Sequence, residues 1–147
     1  PILYLSRYIT HNKAEYYRLI QSVRDNDGDN FRQWEEWIIF MLKGVEETSK
    51  QSICLVNGIS KLMADYKSKL RPVFGRLYRH ELLNNLFFHP YTKIEYVKRD
   101  MMVSRKTATE YLEKIVDMGL LKKEKVGRSN YYINSSLVDL FLNVGKW

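Results

Sequence analysis

A single cysteine, Cys54, stands among 147 residues. No intrachain disulfide can form, and a lone thiol suits a reducing compartment, so a cytoplasmic location is expected. Its neighbours Ile53, Leu55 and Val56 mark Cys54 as a packed, inert thiol. No apolar run approaches the roughly 20 residues an α-helix needs to cross a bilayer, and no membrane partner is expected. The three histidines, His11, His80 and His89, lie far apart and none has a second histidine or a cysteine at i+4. That spacing argues against a zinc site or a catalytic dyad. A phosphate-binding Gly-Lys-Ser/Thr loop and a dinucleotide fingerprint are also missing.

What is present favours a folded, basic chain. Hydrophobic residues make up 45% and aromatic residues 14%, ample for a buried core. The net charge of +7 is unevenly placed. Residues 1–70 hold ten Lys or Arg against nine Asp or Glu, giving +1; residues 71–147 hold fourteen against eight, giving +6. A basic half favours an anionic partner without identifying it. The chain opens at Pro1, and its first residues read as folded core rather than as a signal peptide. It is expected to be a fragment of a longer protein.

Helical spacing begins at once. "PILYLSRYI" predicts a short helix, and Asn12 is placed to cap a second from Lys13 to about Val23, with Tyr16, Leu19, Ile20 and Val23 on one face. "RDNDGDN" is a loop. Asn30 and Gln33 then resemble a capping box. From there Ile38, Leu42, Val45, Ser49, Ser52, Val56, Ile59, Met63, Tyr66 and Leu70 keep the 4-3 spacing of a coiled-coil seam. The seam is either an internal packing stripe or a dimer contact. Gly44 and Gly58 are candidate bends, and Trp34, Trp37, Tyr16 and Tyr17 read as core aromatics. Arg71-Pro72 should end the helix, because proline disfavours helical geometry in the residue before it. The domain boundary is therefore set there, with a helical segment at 1–70 and a second domain at 71–147.

The second domain is more regular. "FGRLYRHELLNNLFFH" predicts a helix with Leu77, Leu82, Leu83, Leu86 and Phe87 inward. "HPYTK" is an extended break, and "IEYVKRDM" a short helix that buries Ile94, Val97 and Met101. "VSRKTATEYLEKIVDMG" follows, capped by Ser104 and stopped at Gly119. "LLKKEKV" and "NYYIN" flank a glycine turn as a hairpin, and a last helix runs from Ser136 to about Asn143. The fold class is thus mainly α: a helical segment with a long helix, then a winged helix-turn-helix with a small β-hairpin.

The helix after Ser104 buries Ala108, Tyr111, Leu112, Ile115 and Val116. It exposes Arg105, Lys106, Thr109, Glu110, Glu113 and Lys114. Ser104 and the open N–H groups of the first turn suit a phosphate oxygen. Arg105 and Thr109 lie one turn apart, where an arginine fork can meet guanine and a threonine methyl can meet thymine. Lys122, Lys123, Lys125 and Arg128 put charge on the wing. Ser104, Arg105, Lys106, Thr109, Lys122, Lys123, Lys125 and Arg128 are therefore the candidate contacts to double-stranded DNA. The competing reading is a solvated charged face on a domain that docks a protein or a second copy of itself. Glu110, Glu113 and Glu124 weigh against strong binding, since each repels phosphate.

Two stretches resemble known proteins. "PILYLSRYITHNKAEYYRLIQSVR" followed by "WEEWIIFMLKGVEETS" is similar to the end of a Fic domain and the helix after it. "LFFHPYTKIEYVKRDMMVSRKTATEYLEKIVDMGLLKKEKVGRSNYYIN" resembles the winged-helix domain appended to many bacterial Fic proteins. The resemblance implies a parent protein that transfers AMP from ATP to a protein hydroxyl. That chemistry depends on a motif of the type His-Pro-Phe-x-Asp/Glu-Gly-Asn-Gly-Arg, expected just upstream of Pro1. His89-Pro90-Tyr91 copies only its first letters. No catalytic residue is carried over, and ATP and magnesium are expected for the complete parent, with no cofactor and no enzyme activity in this chain. What the resemblance leaves to it is a DNA-binding or regulatory role, including transcription regulation, or the interaction role.

Overall fold

The computed structural model describes residues 4–25 and 31–144. Pro1, the "DNDGDN" part of the first loop up to Asn30 and the expected capping box at Asn30 lie outside the described residues, save Asp25. The chain divides into two compact units, Pro1–Cys54 and Leu55–Trp147.

In the first unit, α1 (Leu5–His11) and α2 (Lys13–Arg24) are separated by Asn12. The expected cap is made differently. The Asn12 side chain makes no cap bond to α2; its Nδ2 donates 3.0 Å back to Tyr8 O and closes the end of α1. A small core forms from Tyr8, Leu19 and Phe40, with Tyr16, Trp37 and Met41 against it. Trp34 and Tyr17 are exposed, contrary to their expected place in the core.

The long helix α3 runs Phe31–Phe74, past the expected stop at Pro72. Leu70 and Phe74, one turn apart, are both buried in the core of the second unit. Burying two such side chains is worth roughly 3–6 kcal/mol. That matches or exceeds the ~3 kcal/mol an interior proline costs. The boundary expected after residue 70 therefore falls inside one packed body, which begins at Leu55.

The 4-3 stripe is split in its fate. Tyr66 and Leu70 are buried, but Ile38, Leu42 and Val45 are 46%, 61% and 41% exposed. In the first unit the inward face is turned by about one residue, to Trp37, Phe40, Met41, Gly44 and Thr48. Gly44 is the reason. A Cβ there would lie 2.5 Å from Tyr8 Cδ1, so only glycine admits the ring. Thr48 follows on the same face and donates 2.7 Å to Gly44 O. Gly58 likewise receives Leu140, which a Cβ would meet at 2.8 Å. Both glycines serve close approach. Cys54 is exposed rather than packed.

In the second unit a 3-10 turn at Gly75–Leu77 separates α3 from α4 (His80–Phe88), so the single helix expected over that stretch is broken. Gly75 adopts φ +50, a left-handed conformation that stops the right-handed α3. Leu77 is left 61% exposed, not inward. Then come β1 (Tyr91–Thr92), α5 (Ile94–Met101), α6 (Arg105–Asp117), β2 (Lys122–Val126), β3 (Ser129–Ile133) and α7 (Ser135–Val144). The sheet has order β1-β3-β2 and is antiparallel throughout. The "HPYTK" break thus supplies a third strand beside the expected hairpin. Leu82, Leu83, Leu86, Val97, Met101, Ala108, Leu112, Ile115 and Tyr132 form the core with the end of α3.

Asn134, fully buried, joins these layers. Its Nδ2 donates to Leu86 O at 3.3 Å, and its Oδ1 accepts from Leu137 N at 3.1 Å. The Tyr66 hydroxyl lies 2.9 Å from that same Oδ1 and 2.6 Å from Leu120 O, so one proton serves two acceptors. Replacing Asn134 by Leu should destabilise the chain by about 2–3 kcal/mol, because buried partners are left unpaired. Urea unfolding followed by circular dichroism measures this; a loss within about 0.5 kcal/mol, the range of an ordinary surface change, would show that the network is dispensable.

Candidate nucleic-acid interface

Helix α6 starts as its sequence requires. Ser104 has extended backbone geometry, and its Oγ accepts the Thr107 N–H at 3.1 Å. Thr107 adds a second contact, Oγ1 to Ser104 Oγ at 2.9 Å, which the residue pattern did not single out. The turn before α6 is made by Met102 at φ 51, with Val103 N donating to Lys98 O at 3.2 Å. Ala108, Leu112 and Ile115 hold one face of α6 in the core. The opposite face carries the candidates.

These candidates are not equally available. Arg105 is turned toward α5: its Nη1 lies 3.0 Å from Glu95 Oε1. Lys98 approaches the other Glu95 oxygen at 4.0 Å. Thr109, partly buried, donates its hydroxyl 2.8 Å to Arg105 O. The two side chains expected to read bases together are thus engaged elsewhere, and Glu95 is the residue that sequence reasoning missed. Its signal was present only as spacing across two helices, which a linear pattern does not reveal. Lys106 is exposed and has no hydrogen bond or ion pair among the described residues.

On the wing, register sorts the lysines. Strands β2 and β3 pair Lys123 with Tyr132 and Lys125 with Asn130, so period two puts Lys123 and Lys125 on one face and Lys122, Glu124 and Val126 on the other. Lys122 Nζ is 2.7 Å from Glu124 Oε1. Lys123 reaches back to α6, where its Nζ lies 2.6 Å from Glu113 Oε1. The Tyr132 hydroxyl donates 2.8 Å to that same oxygen. Lys123 is therefore a strut between wing and helix. Lys125 and Arg128 are exposed, with no such partner among the described residues. Gly127, at φ +60, and Arg128 form the turn, the pattern of a type II′ hairpin.

The strut has an electrostatic signature. The hydrogen bond from Lys123 holds the Glu113 carboxyl below its ordinary value, against the opposing effect of burial, and Tyr132 adds to the lowering. Burial first, then the bond to Glu113, pushes the Tyr132 phenol up. Lys122 is raised by its bond to Glu124. Among the described residues no cluster of His, Cys, Asp or Glu could hold a metal ion, and no helix is long and apolar enough to cross a membrane.

Fold and surface together define a mainly α protein whose second unit has the element order of a winged helix, with Arg105 and Glu113 on its exposed α6 face held in ion pairs. A family model described as the C-terminal domain of SoFic-like protein adenylyltransferases matches residues 62–137, just over half of the chain. The chain belongs to that family. The match begins inside α3, close to where the second packed unit begins.

A depressed carboxyl contributes stability above its unfolded pKa, ordinarily 4.5, and loses it as the pH falls through the lower folded value. The melting temperature of the wild type should therefore exceed that of Glu113→Gln near neutral pH, and the gap should close on acidification through that range. A gap independent of pH between about 7 and 3 would show that Glu113 is not held by charge.

Proposed function

We propose that the second unit is a duplex-DNA-binding, regulatory module of a Fic-type protein adenylyltransferase. The observation that carries this reading is a set of three uncommitted cations. Lys106 lies on the first turn of α6, and Lys125 and Arg128 lie at the wing tip. Cations left unpaired are the ones that gain most from phosphate, because no carboxylate has to be displaced. Ser104 and the first-turn N–H groups of α6 add an anion-compatible helix end. Arg105 takes part only by leaving Glu95, so base reading by this residue is conditional on an exchange of partners.

This arrangement implies modest affinity. Three phosphate contacts give a salt slope of roughly −2.7, at about 0.9 per contact. Lys106→Ala should reduce its magnitude by about 0.9, and Lys125→Ala with Arg128→Ala by about 1.8. Lys123→Ala should instead lower the melting temperature. Binding of a labelled duplex across a salt series, with melting curves as control, tests this. The proposal fails if wild type does not bind duplex at about 50 mM salt, where phosphate contacts are strong.

The reading that would then take its place is an interaction module, favoured by the outward Ile38, Leu42 and Val45 on α3. A concentration-dependent dimer in sedimentation would support it. As for the family's chemistry, the 147 residues contain no His-Pro-Phe-x-Asp/Glu-Gly-Asn-Gly-Arg motif and hence neither its base nor its phosphate cradle. Supplied with labelled ATP, magnesium and a candidate target, the chain should transfer no label above a heat-inactivated control.

A further inference from the structure

Away from α6 and the wing tip, the second unit has a surface where rings alternate with cations. Thr92 and Tyr132, both buried, point inward from the sheet, which turns their neighbours Tyr91 and Tyr131 outward. Those two rings lie 5.4 Å apart, and His89 lies nearly parallel to Tyr91, 19° off plane at 6.1 Å. Lys93 Nζ sits 4.2 Å above the Tyr131 ring and 5.9 Å from that of Tyr96. The Arg99 guanidinium lies 5.7 Å from Tyr96.

Beside the rings is a cavity of about 250 Å³ lined by Asn85, Phe88, His89, Tyr91, Tyr96, Arg99 and Asp100. Its floor is organised. Asn85 Nδ2 donates 2.6 Å to Asp100 Oδ2, Thr92 Oγ1 donates 2.6 Å to Asn85 Oδ1, and Arg99 Nε donates 2.7 Å to Asp100 Oδ1. The Asp100 charge is thus answered by Arg99, and that of Glu95 by Arg105. Lys93 has no carboxylate partner among the described residues. At one end Phe88 is 80% exposed.

We infer that this surface binds an unpaired nucleotide of a single-stranded nucleic acid, with the base against Tyr91 and His89 and a phosphate at Lys93. Duplex DNA keeps its base faces stacked inside, so exposed tyrosine and histidine faces offer it little. A splayed strand offers a ring for each ring and a phosphate for each cation. The cavity is smaller than the roughly 300–1,000 Å³ of pockets for drug-sized ligands, which suits one ring system. A protein-docking face would instead deplete charge at its centre. The inference does not depend on duplex binding by α6.

The test uses the full chain and a labelled oligothymidylate of about 15 nucleotides, near the upper end of single-strand site sizes. Fluorescence anisotropy at low salt should show binding, with Tyr91→Ala weaker by roughly tenfold, the order of one lost base stack. Tyr91→Phe keeps the ring and should retain wild-type affinity. Lys93→Gln should lower the salt slope by about 0.7, the single-strand value for one phosphate. Unlabelled oligothymidylate should compete better than a blunt duplex of equal length, which separates this site from the α6 reading. If melting curves show Tyr91→Ala unfolded, Tyr91→Leu, which keeps apolar bulk without a ring, takes its place. No binding by wild type, equal affinity for Tyr91→Ala or its Leu substitute in a folded protein, or equal competition by a blunt duplex would overturn the assignment.

Discussion

Asn134 stands where β3 ends and α7 begins, fully buried, with both side-chain polar atoms used. Its backbone N–H donates to Pro90 O at 2.8 Å and its carbonyl accepts from Val138 N at 3.0 Å. Through these bonds a single amide holds α4, the segment before β1, α7 and, by way of Tyr66, the end of α3. A buried amide that lost any of these partners would carry a desolvation cost of about 1–3 kcal/mol, so the elements are held in one mutual arrangement. That constraint makes the last turns of α3 part of the second packed unit. The sheet carrying the wing and the core beneath α6 are set by it in turn.

Charge in the basic half is less available than its total implies. Glu95, Glu113 and Glu124 each hold a cation that composition alone would offer to phosphate: Arg105, Lys123 and Lys122. These pairs lie at the surface, where each is worth only about 0–1 kcal/mol. They are cheap to break, so they set how the face is presented more than whether it can bind. The Lys123 strut differs because Tyr132, a core residue, shares its carboxylate. Of the cations in that half without a carboxylate partner among the described residues, Lys106 lies at the start of α6, Lys125 and Arg128 lie at the tip of the wing, and Lys93 lies beside Tyr131.

In the first unit the decisive atoms are missing ones. The apolar periodicity of α3 admits two adjacent stripes, and hydrophobicity does not choose between them. Gly44 does, because a helix face without a Cβ lets the Tyr8 ring lie against the backbone. The stripe so displaced, Ile38, Leu42 and Val45, is left outward.

Much of the second unit was legible in the residues themselves. The Ser104 cap, the buried stripe of Ala108, Leu112 and Ile115, and the hairpin around Gly127 are local, and local pattern reports such features well. The motif words of the Fic resemblance also agree with the family that residues 62–137 match. What the sequence could not determine is whatever depends on residues far apart in the chain. Pro72 stays helical because Leu70 and Phe74 are buried by other elements. The strand at Tyr91 exists because β3 is there to pair with it. Arg105 faces Glu95, and Lys123 faces Glu113, each across ten residues. Propensity and periodicity describe what a segment can do alone. Which face is covered, and which charge is already answered, is decided only when the segments meet.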